Sequence, residues 1–164
     1  MADLLVRLYD LPASASAVAK LTGQGIVVRR AAAMERAAVV GFARAHGSEG
    51  WAGECEAAFA RLPVACFVAV DSATHALIGF ACHEATCRDF FGPELVHPSW
   101  RGRGVGHALL LVTLEAMRAQ GYAYAIIGWA SSVDFYRKVV GAVVIEGSEP
   151  GIYPRPIVDA GDSD

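Results

Sequence analysis

The chain has 164 residues, of which 54% are apolar and 19% are charged, a balance typical of a folded domain with its own core and not of a disordered chain. The net charge of −3 supplies no basic field of the kind that nucleic-acid-binding domains carry. No apolar run reaches the roughly 20 residues that cross a bilayer, so we expect one domain over residues 1–164 that binds neither nucleic acid nor membranes.

Short apolar runs alternate with helical patterns in the first half of the chain. Three β-branched residues predict the strand at 26–30, and apolar residues at three- and four-residue spacing predict the helix at 49–62, which Pro63 ends. In chain order, the predicted elements are a short strand at 4–9, a helix at 12–21, a strand at 26–30, helices at 32–46 and 49–62, and a hairpin with strands at 64–70 and 77–86.

The second half predicts strands that alternate with helices. Gly92-Pro93 interrupts one strand, and because proline cannot donate to a ladder it indicates a sheet edge or a bulge. The predicted elements are strands at 90–96, 122–129, 142–145 and 152–158, helices at 104–120 and 132–140, and a mobile tail from residue 159. This order favours a mixed α/β sheet with helices on its faces, in which the strands at 90–96 and 122–129 are parallel neighbours.

The cysteines and histidines show no metal-binding or redox spacing. There is no C-x-x-C or H-E-x-x-H pattern, so we expect no metal, and we expect reduced, mostly buried thiols at Cys55, Cys66, Cys82 and Cys87. The first seven residues lack the basic start and long apolar stretch of a secretory signal, which predicts a cytoplasmic location.

The segment from Val96 to Val112 is the most informative part of the chain. An apolar strand ends before Pro98, a turn with two arginines and three glycines follows, and the turn leads directly into an amphipathic helix. Glycines allow close approach of a ligand, and the first N–H groups of a helix lack internal partners and carry partial positive charge. The segment therefore predicts a phosphate or pyrophosphate site. Its spacing is neither G-x-G-x-x-G nor a P-loop, which argues against both nucleotide folds.

The run Arg101–Gly106 resembles the R/Q-x-x-G-x-G/A signature of the GNAT superfamily of acetyl-CoA-dependent N-acetyltransferases. The likeness extends upstream to Val96-x-Pro98 and downstream to Asp134-Phe-Tyr-Arg-Lys138. The order of strands and helices from about residue 26 to residue 145 is also similar. On this basis residues 26–158 are the predicted core, residues 1–25 an N-terminal extension, and residues 159–164 a tail.

The resemblance implies an α/β (α+β) fold. Its mixed, mostly antiparallel central sheet would have six to seven strands, with helices on both faces. The sheet would be splayed between its fourth and fifth strands. Counted from the strand at 26–30, these are the strands at 90–96 and 122–129.

The resemblance also implies where acetyl-CoA, the expected cosubstrate, would bind. The turn would hold its pyrophosphate through Arg101, Gly102, Arg103, Gly104, Val105 and Gly106. The pantetheine arm would lie in the splay, between Glu94-Leu95-Val96 and Ile127-Gly128-Trp129. A backbone N–H of the first of these stretches would stabilise the oxyanion, an effect of about 3–4 kcal/mol on a reaction barrier.

Tyr136 matches the tyrosine that GNAT enzymes often place near the CoA sulfur. A phenol is protonated at neutral pH and can supply a proton to a departing thiolate, although a tyrosine packed in the core is the structural alternative. The chain departs from the family pattern at Trp129, where asparagine is frequent, and at Val139-Val140-Gly141-Ala142, which is one residue longer than usual.

The residue that accepts the proton of the amine is left open by the sequence. Four side chains are candidates, and for each a structural role is the alternative: His83, Glu84, Asp89 and Glu54. A water chain to solvent would serve equally. We expect the acceptor pocket to involve Gly50-Trp51 to Phe59 and Phe90-Phe91, and the loop Ser148–Pro154 to close it.

The predicted function is transfer of an acetyl group from acetyl-CoA to a primary amine, by direct attack and without an acyl-enzyme. Two alternatives stay open: an inactive CoA-binding regulatory or interaction module, and an acyltransferase that uses a longer acyl-CoA. The expected partners are a small-molecule or peptide amine and a second copy of the chain in a homodimer.

Overall fold

The structure is a computed structural model that describes residues 1–154 and residue 157. Within these residues the chain forms one sheet and five α-helices. The strands are β1 (Leu4–Arg7), β2 (Ile26–Arg30), β3 (Cys66–Asp71), β4 (Leu77–His83), β5 (Phe90–Val96), β6 (Tyr124–Ile127) and β7 (Val143–Val144). The helices are α1 (Ala15–Thr22), α2 (Arg36–His46), α3 (Glu49–Phe59), α4 (Val105–Ala119) and α5 (Val133–Val140).

The sheet has seven strands in the order β2-β3-β4-β5-β6-β1-β7. Every neighbouring pair is antiparallel except β5 and β6, which are parallel and are connected through α4. The predicted fold class, a mixed and mostly antiparallel sheet with helices on both faces, is therefore confirmed. The single parallel pair also lies where the sequence predicts it.

Two apolar layers hold the helices to opposite faces of the sheet. On one face α4 buries Leu109, Leu110 and Leu114, and α1 and α5 pack beside it. On the other face α2 and α3 pack their small residues against Phe80 and the neighbouring strands. Cys55, Cys66 and Cys82 are buried in this second layer as free thiols, and Cys87 is partly exposed.

The N-terminal segment is an integral part of the sheet. β1 pairs with β6 on one side, where Leu4 lies opposite Ile127, and with β7 on the other. Leu4, Val6 and Leu8 are fully buried in the layer beneath α4. The first 25 residues, predicted as an extension of the core, thus supply one of its inner strands and the helix α1.

A bulge in β5 opens the sheet. Between the pairs Ala81–Glu94 and His83–Phe91, β4 advances by two residues and β5 by three, which places the extra residue at Gly92-Pro93. The bulge predicted from this dipeptide is confirmed, in an inner strand. β5 pairs with β6 only through Phe90 and Phe91, directly before the bulge, so the two strands part beyond it.

Several predicted elements are shorter in the structure. The helix predicted at 32–46 begins with a 3₁₀ turn at Ala33–Glu35, and the strand predicted at 4–9 ends at Arg7. Residues 152–154 and 157 are not in a strand, and the remaining residues of the predicted strand at 152–158 and the tail from 159 lie outside the described residues. No helix in the described part of the chain combines the length and hydropathy that a bilayer crossing needs.

Candidate functional site

A cleft of about 640 Å³ lies between the carboxyl end of β5, the first turn of α4 and the start of α5. Nine of the residues predicted for the site line it: Glu94, Leu95, Val96, Arg101, Gly102, Gly104, Val105, Gly106 and Tyr136. Ligands of open α/β sheets bind outside the carboxyl ends of parallel strands, where the chain connections diverge. The cleft occupies that position in this sheet.

The first turn of α4 forms one wall of the cleft. Gly104 caps the helix with a φ of 90°, a left-handed conformation that glycine adopts without strain. No backbone or side-chain acceptor in the described part of the chain bonds the N–H groups of residues 102–107. Unpartnered amides at a helix N-terminus, together with the helix dipole, suit an anion such as a diphosphate.

Arginine side chains flank this turn. Arg101 lines the cleft and donates from Nε to the carbonyl of Val96 at 3.2 Å. Arg103 lies outside the cleft with its guanidinium stacked on Trp100, 4.6 Å from the ring centroid. Neither arginine pairs with a carboxylate of the described residues, so their charges are available to an anion.

Glu94 and Tyr136 meet at the inner end of the cleft. The Tyr136 hydroxyl lies 3.5 Å from Oε2 of Glu94, while Oε1 of Glu94 is buried and has no partner among the described residues. A Cβ added to Gly106 would lie 3.3 Å from this Oε1, which places the carboxyl against the first turn of α4. Glu94 as a residue is partly exposed, but its carboxyl group is enclosed.

Burial alters the acidity of both groups. It raises the pKa of Glu94 to about 8, and the hydrogen bond from Tyr136 opposes this rise only in part. Burial also raises the pKa of Tyr136 far above its ordinary value, and the nearby Glu94 carboxyl adds to this effect. At neutral pH both groups therefore hold their protons, and the end of the cleft carries no charge of its own.

Trp129 does not line the cleft. Its indole ring stacks on Tyr153 with centroids 4.6 Å apart, and its Nε1 donates to the carbonyl of Pro150 at 2.6 Å. The loop predicted to cover the acceptor pocket is thus held by Trp129. Asp3 also anchors it, since its N–H donates to Oγ of Ser148 at 2.8 Å.

The four candidate bases lie outside the lining of the cleft. Glu84 is held by Arg61, with Nη1 and Oε2 3.1 Å apart, and accepts a hydrogen bond from Tyr122. His83 is fully buried, and burial lowers its pKa to about 4, so its ring is neutral.

Glu54 accepts a hydrogen bond from Thr86, and burial raises its pKa. Asp89 contributes its backbone carbonyl to Ile126 at 2.8 Å. Of the aromatic residues expected near the acceptor, Trp51 lines the cleft, whereas Phe90 and Phe91 are buried.

The side chain of Glu94 is the feature that the sequence reasoning missed, because only the backbone of this residue was considered. The bulge explains its orientation. Phe91 packs in the α4 layer and Leu95 in the α2–α3 layer, although regular alternation would give them the same face. The extra residue at Gly92-Pro93 thus turns Glu94 toward α4. A carboxylate directly after a Gly-Pro bulge is the signal that could have revealed it.

Within residues 1–154 and residue 157, no three side chains of His, Cys, Asp or Glu are arranged to hold a metal ion.

Comparisons with known proteins give one matching family and several solved structures with a similar fold. A family model described as an acetyltransferase (GNAT) domain matches residues 62–139, which include β5, the turn, α4 and Tyr136. This part of the chain is therefore similar to a GNAT domain. No protein of curated function matches the chain by sequence.

Solved structures share the fold. A glucosamine N-acetyltransferase region of a fungal multi-domain β-N-acetylglucosaminidase matches 88% of the chain at a TM-score of 0.71 and 16% identity. An N-acetyltransferase from Sphaerobacter thermophilus matches 88% of the chain at a TM-score of 0.66 and 18% identity. The chain spans 19% and 48% of these two proteins, respectively. A Trypanosoma brucei acetyltransferase matches 82% of the chain over 99% of its own length, at 0.52 and 16% identity. The GNAT-like fold is therefore established. Sequence identities this low give no information about the substrate.

Proposed function

We propose that this GNAT domain transfers an acetyl group from acetyl-CoA to a primary amine by direct nucleophilic attack. One observation carries the proposal: a single cleft joins the unpartnered amides at the start of α4 to the part of β5 beyond its last pair with β6, and Tyr136 of α5 lies at its inner end. A diphosphate on those amides would direct a thioester arm into the gap. Such a ligand also suits the charges of the cleft, because Arg101 lies at one end and the neutral Glu94 and Tyr136 lie at the other.

In this proposal the turn and β5 position the reacting groups. The amides of residues 102–107 and the Arg101 side chain bind the diphosphate, and β5 and β6 flank the arm. A backbone N–H in Glu94–Val96 donates to the thioester carbonyl and stabilises the oxyanion that forms when the amine attacks. Stabilisation by one fixed donor is worth about 3–4 kcal/mol of barrier.

In this proposal Tyr136 and Glu94 supply the proton that the leaving thiolate takes up. As the carbon–sulfur bond breaks, Tyr136 gives its hydroxyl proton to the sulfur, and Glu94 gives its proton to the tyrosinate. The proton lost by the amine nitrogen restores the Glu94 carboxyl through solvent. Because the pKa of Tyr136 is raised, its deprotonation alone would be costly, and a protonated carboxyl 3.5 Å away removes that cost.

The test is release of free thiol from acetyl-CoA in the presence of a panel of amines. The panel includes glucosamine, since one structural neighbour is a glucosamine N-acetyltransferase region. We expect thiol release that depends on the amine. Tyr136→Phe should lower kcat by about 10²-fold, the lower end of the range for general acids, and leave the affinity for CoA within a factor of about two.

Tyr124→Phe is the matched control, because Tyr124 is exposed on β6 and does not line the cleft. An unchanged kcat in Tyr136→Phe would remove Tyr136 from the mechanism. Tight CoA binding without thiol release for any amine would instead favour a CoA-binding module.

A further inference from the structure

A second cavity, of about 270 Å³, lies on the opposite side of the start of α4, between this helix and α1. We call it the α1–α4 cavity. It shares Gly104 and His107 with the cleft, so the two lie next to each other at the start of α4. Its remaining wall comes from α1 and the residues before it, including Pro12, Ala17 and Leu21.

The α1–α4 cavity is cationic in a chain whose net charge is −3. Lys20, Arg103 and His107 line it, and no aspartate or glutamate does. Within the described residues neither Lys20 nor Arg103 forms an ion pair. Positive side chains gathered without counter-charge around one cavity suit an anionic group.

Packing of the last turn of α1 fixes the backbone position of Lys20. Leu21 is 1% exposed and anchors the last turn of α1 in the core beneath α4. Nε2 of Gln24 donates to the carbonyl of Lys20 at 3.3 Å and to the carbonyl of Arg103 at 3.5 Å. Gln24 therefore ties the end of α1 to the phosphate-binding turn.

The covalent order of CoA determines what can reach this cavity. Its diphosphate joins the pantetheine arm on one side to an adenosine with a 3′-phosphate on the other. If the arm enters the gap between β5 and β6 and the diphosphate lies on the turn, the adenosine end extends from the turn in the direction away from that gap. The α1–α4 cavity lies there.

We propose that the α1–α4 cavity binds the 3′-phosphate of CoA, through Lys20, Arg103 and His107. The inference rests on the proposed function, because it takes CoA as the ligand of the cleft. It assigns a binding role to the N-terminal helix, which lies outside the residues that match the family model. It also predicts discrimination between CoA and its analogue without the 3′-phosphate.

The experiment compares CoA with 3′-dephospho-CoA by titration calorimetry on the full chain. Hydrogen bonds to charged groups change affinity by roughly tenfold or more, so we expect the protein to bind CoA about tenfold more tightly than 3′-dephospho-CoA. Lys20→Met should weaken CoA binding about fivefold and leave 3′-dephospho-CoA binding unchanged. The ratio of the affinities for CoA and 3′-dephospho-CoA should decrease at high salt, because the cationic side chains are exposed and salt screens their charge.

Lys138→Met is the matched control, since Lys138 is the only other lysine of the chain, is exposed on α5 and lines neither cavity. It should change neither affinity. Equal binding of the two ligands by the unmodified protein would overturn the 3′-phosphate assignment and leave the proposed function standing. The same holds if Lys20→Met weakens both ligands equally. Failure to bind either ligand would refute both the proposed function and this inference.

Discussion

Replacing Glu94 by glutamine should change how stability depends on pH. Folding raises the pKa of this carboxyl from its ordinary value of 4.5 to about 8, because the group is enclosed between α4 and α5. A folded-state pKa above the unfolded value means that the folded chain binds more protons between these two pH values. The effect of Glu94 is therefore that stability is highest at and below the pKa of the unfolded chain and falls as pH rises. The fall ends above about pH 8, where the carboxyl is ionised in both the folded and the unfolded chain.

The magnitude follows from the same pKa values. Ionising Glu94 in the folded chain costs at most about 5 kcal/mol, at 1.36 kcal/mol for each tenfold change in proton affinity. Water that enters the cleft reduces this cost, so we expect about 2–5 kcal/mol. Glutamine has nearly the same shape and cannot ionise. The difference in unfolding free energy between Glu94→Gln and the unmodified chain should thus grow in favour of the variant from about pH 5 to about pH 9.

Urea unfolding followed by tryptophan fluorescence measures this difference, and the chain has three tryptophans. Glu146→Gln is the control, because Glu146 is exposed and its removal should add no comparable slope. Other groups that titrate near about pH 9 are common to all the proteins and cancel in the comparison. A difference between Glu94→Gln and the unmodified chain that stays constant from about pH 5 to about pH 9 would refute the enclosed, protonated carboxyl.

Three further substitutions test other parts of the fold by the same urea assay. Leu4→Ala should cost about 3 kcal/mol, because Leu4 is fully buried in an inner strand, whereas Leu5→Ala at a partly exposed position should cost less; equal small losses would contradict an integrated N-terminus. Glu35→Gln should cost about 1 kcal/mol at neutral pH, because Arg29 and the Ala32 N–H hold the pKa of Glu35 at about 2 while solvent screens this exposed pair. The loss should shrink as pH falls from the ordinary pKa of 4.5 toward that value. A loss independent of pH would argue against the ion pair. Gly104→Ala should cost about 1–2 kcal/mol through strain at a φ of 90°, since nothing within 4 Å would clash with the new Cβ; an unchanged stability would contradict that conformation.

Helices and strands that are bounded by turn residues were predictable from the sequence. The strands at 26–30 and 90–96 have the predicted bounds, because turn residues or glycines flank runs of β-branched or aromatic residues. The turn before α4 was also predictable, because Gly102 and Gly104 permit the positive φ values that it contains. Helix ends were less predictable: α3 stops at Phe59 and not at Leu62, because Ala65 turns back to bond the carbonyl of Ala58 at 3.1 Å.

Long-range pairing was not predictable. The sequence predicts a strand at 4–7, but the position of this strand in the sheet depends on β6 and β7, which are more than 100 residues away along the chain. Nothing local distinguishes a strand that joins the sheet interior from one at its edge or outside it. For the same reason the α1–α4 cavity could not be inferred, because α1 reaches the turn only through tertiary packing of Leu21 and Gln24.

The acidity of Glu94 shows how one local irregularity decides the chemistry of the whole cleft. Without the extra residue at Gly92-Pro93, alternation would direct Glu94 to the α2–α3 face and Leu95 toward α4. With it, the carboxyl lies against the amides that would bind a diphosphate. An ionised carboxylate there would repel that diphosphate, so the burial that keeps Glu94 protonated is a condition for anion binding at the same helix end. The bulge thus separates β5 from β6 and also places a buried, neutral carboxyl beside the Tyr136 hydroxyl, the two features on which the proposed function depends.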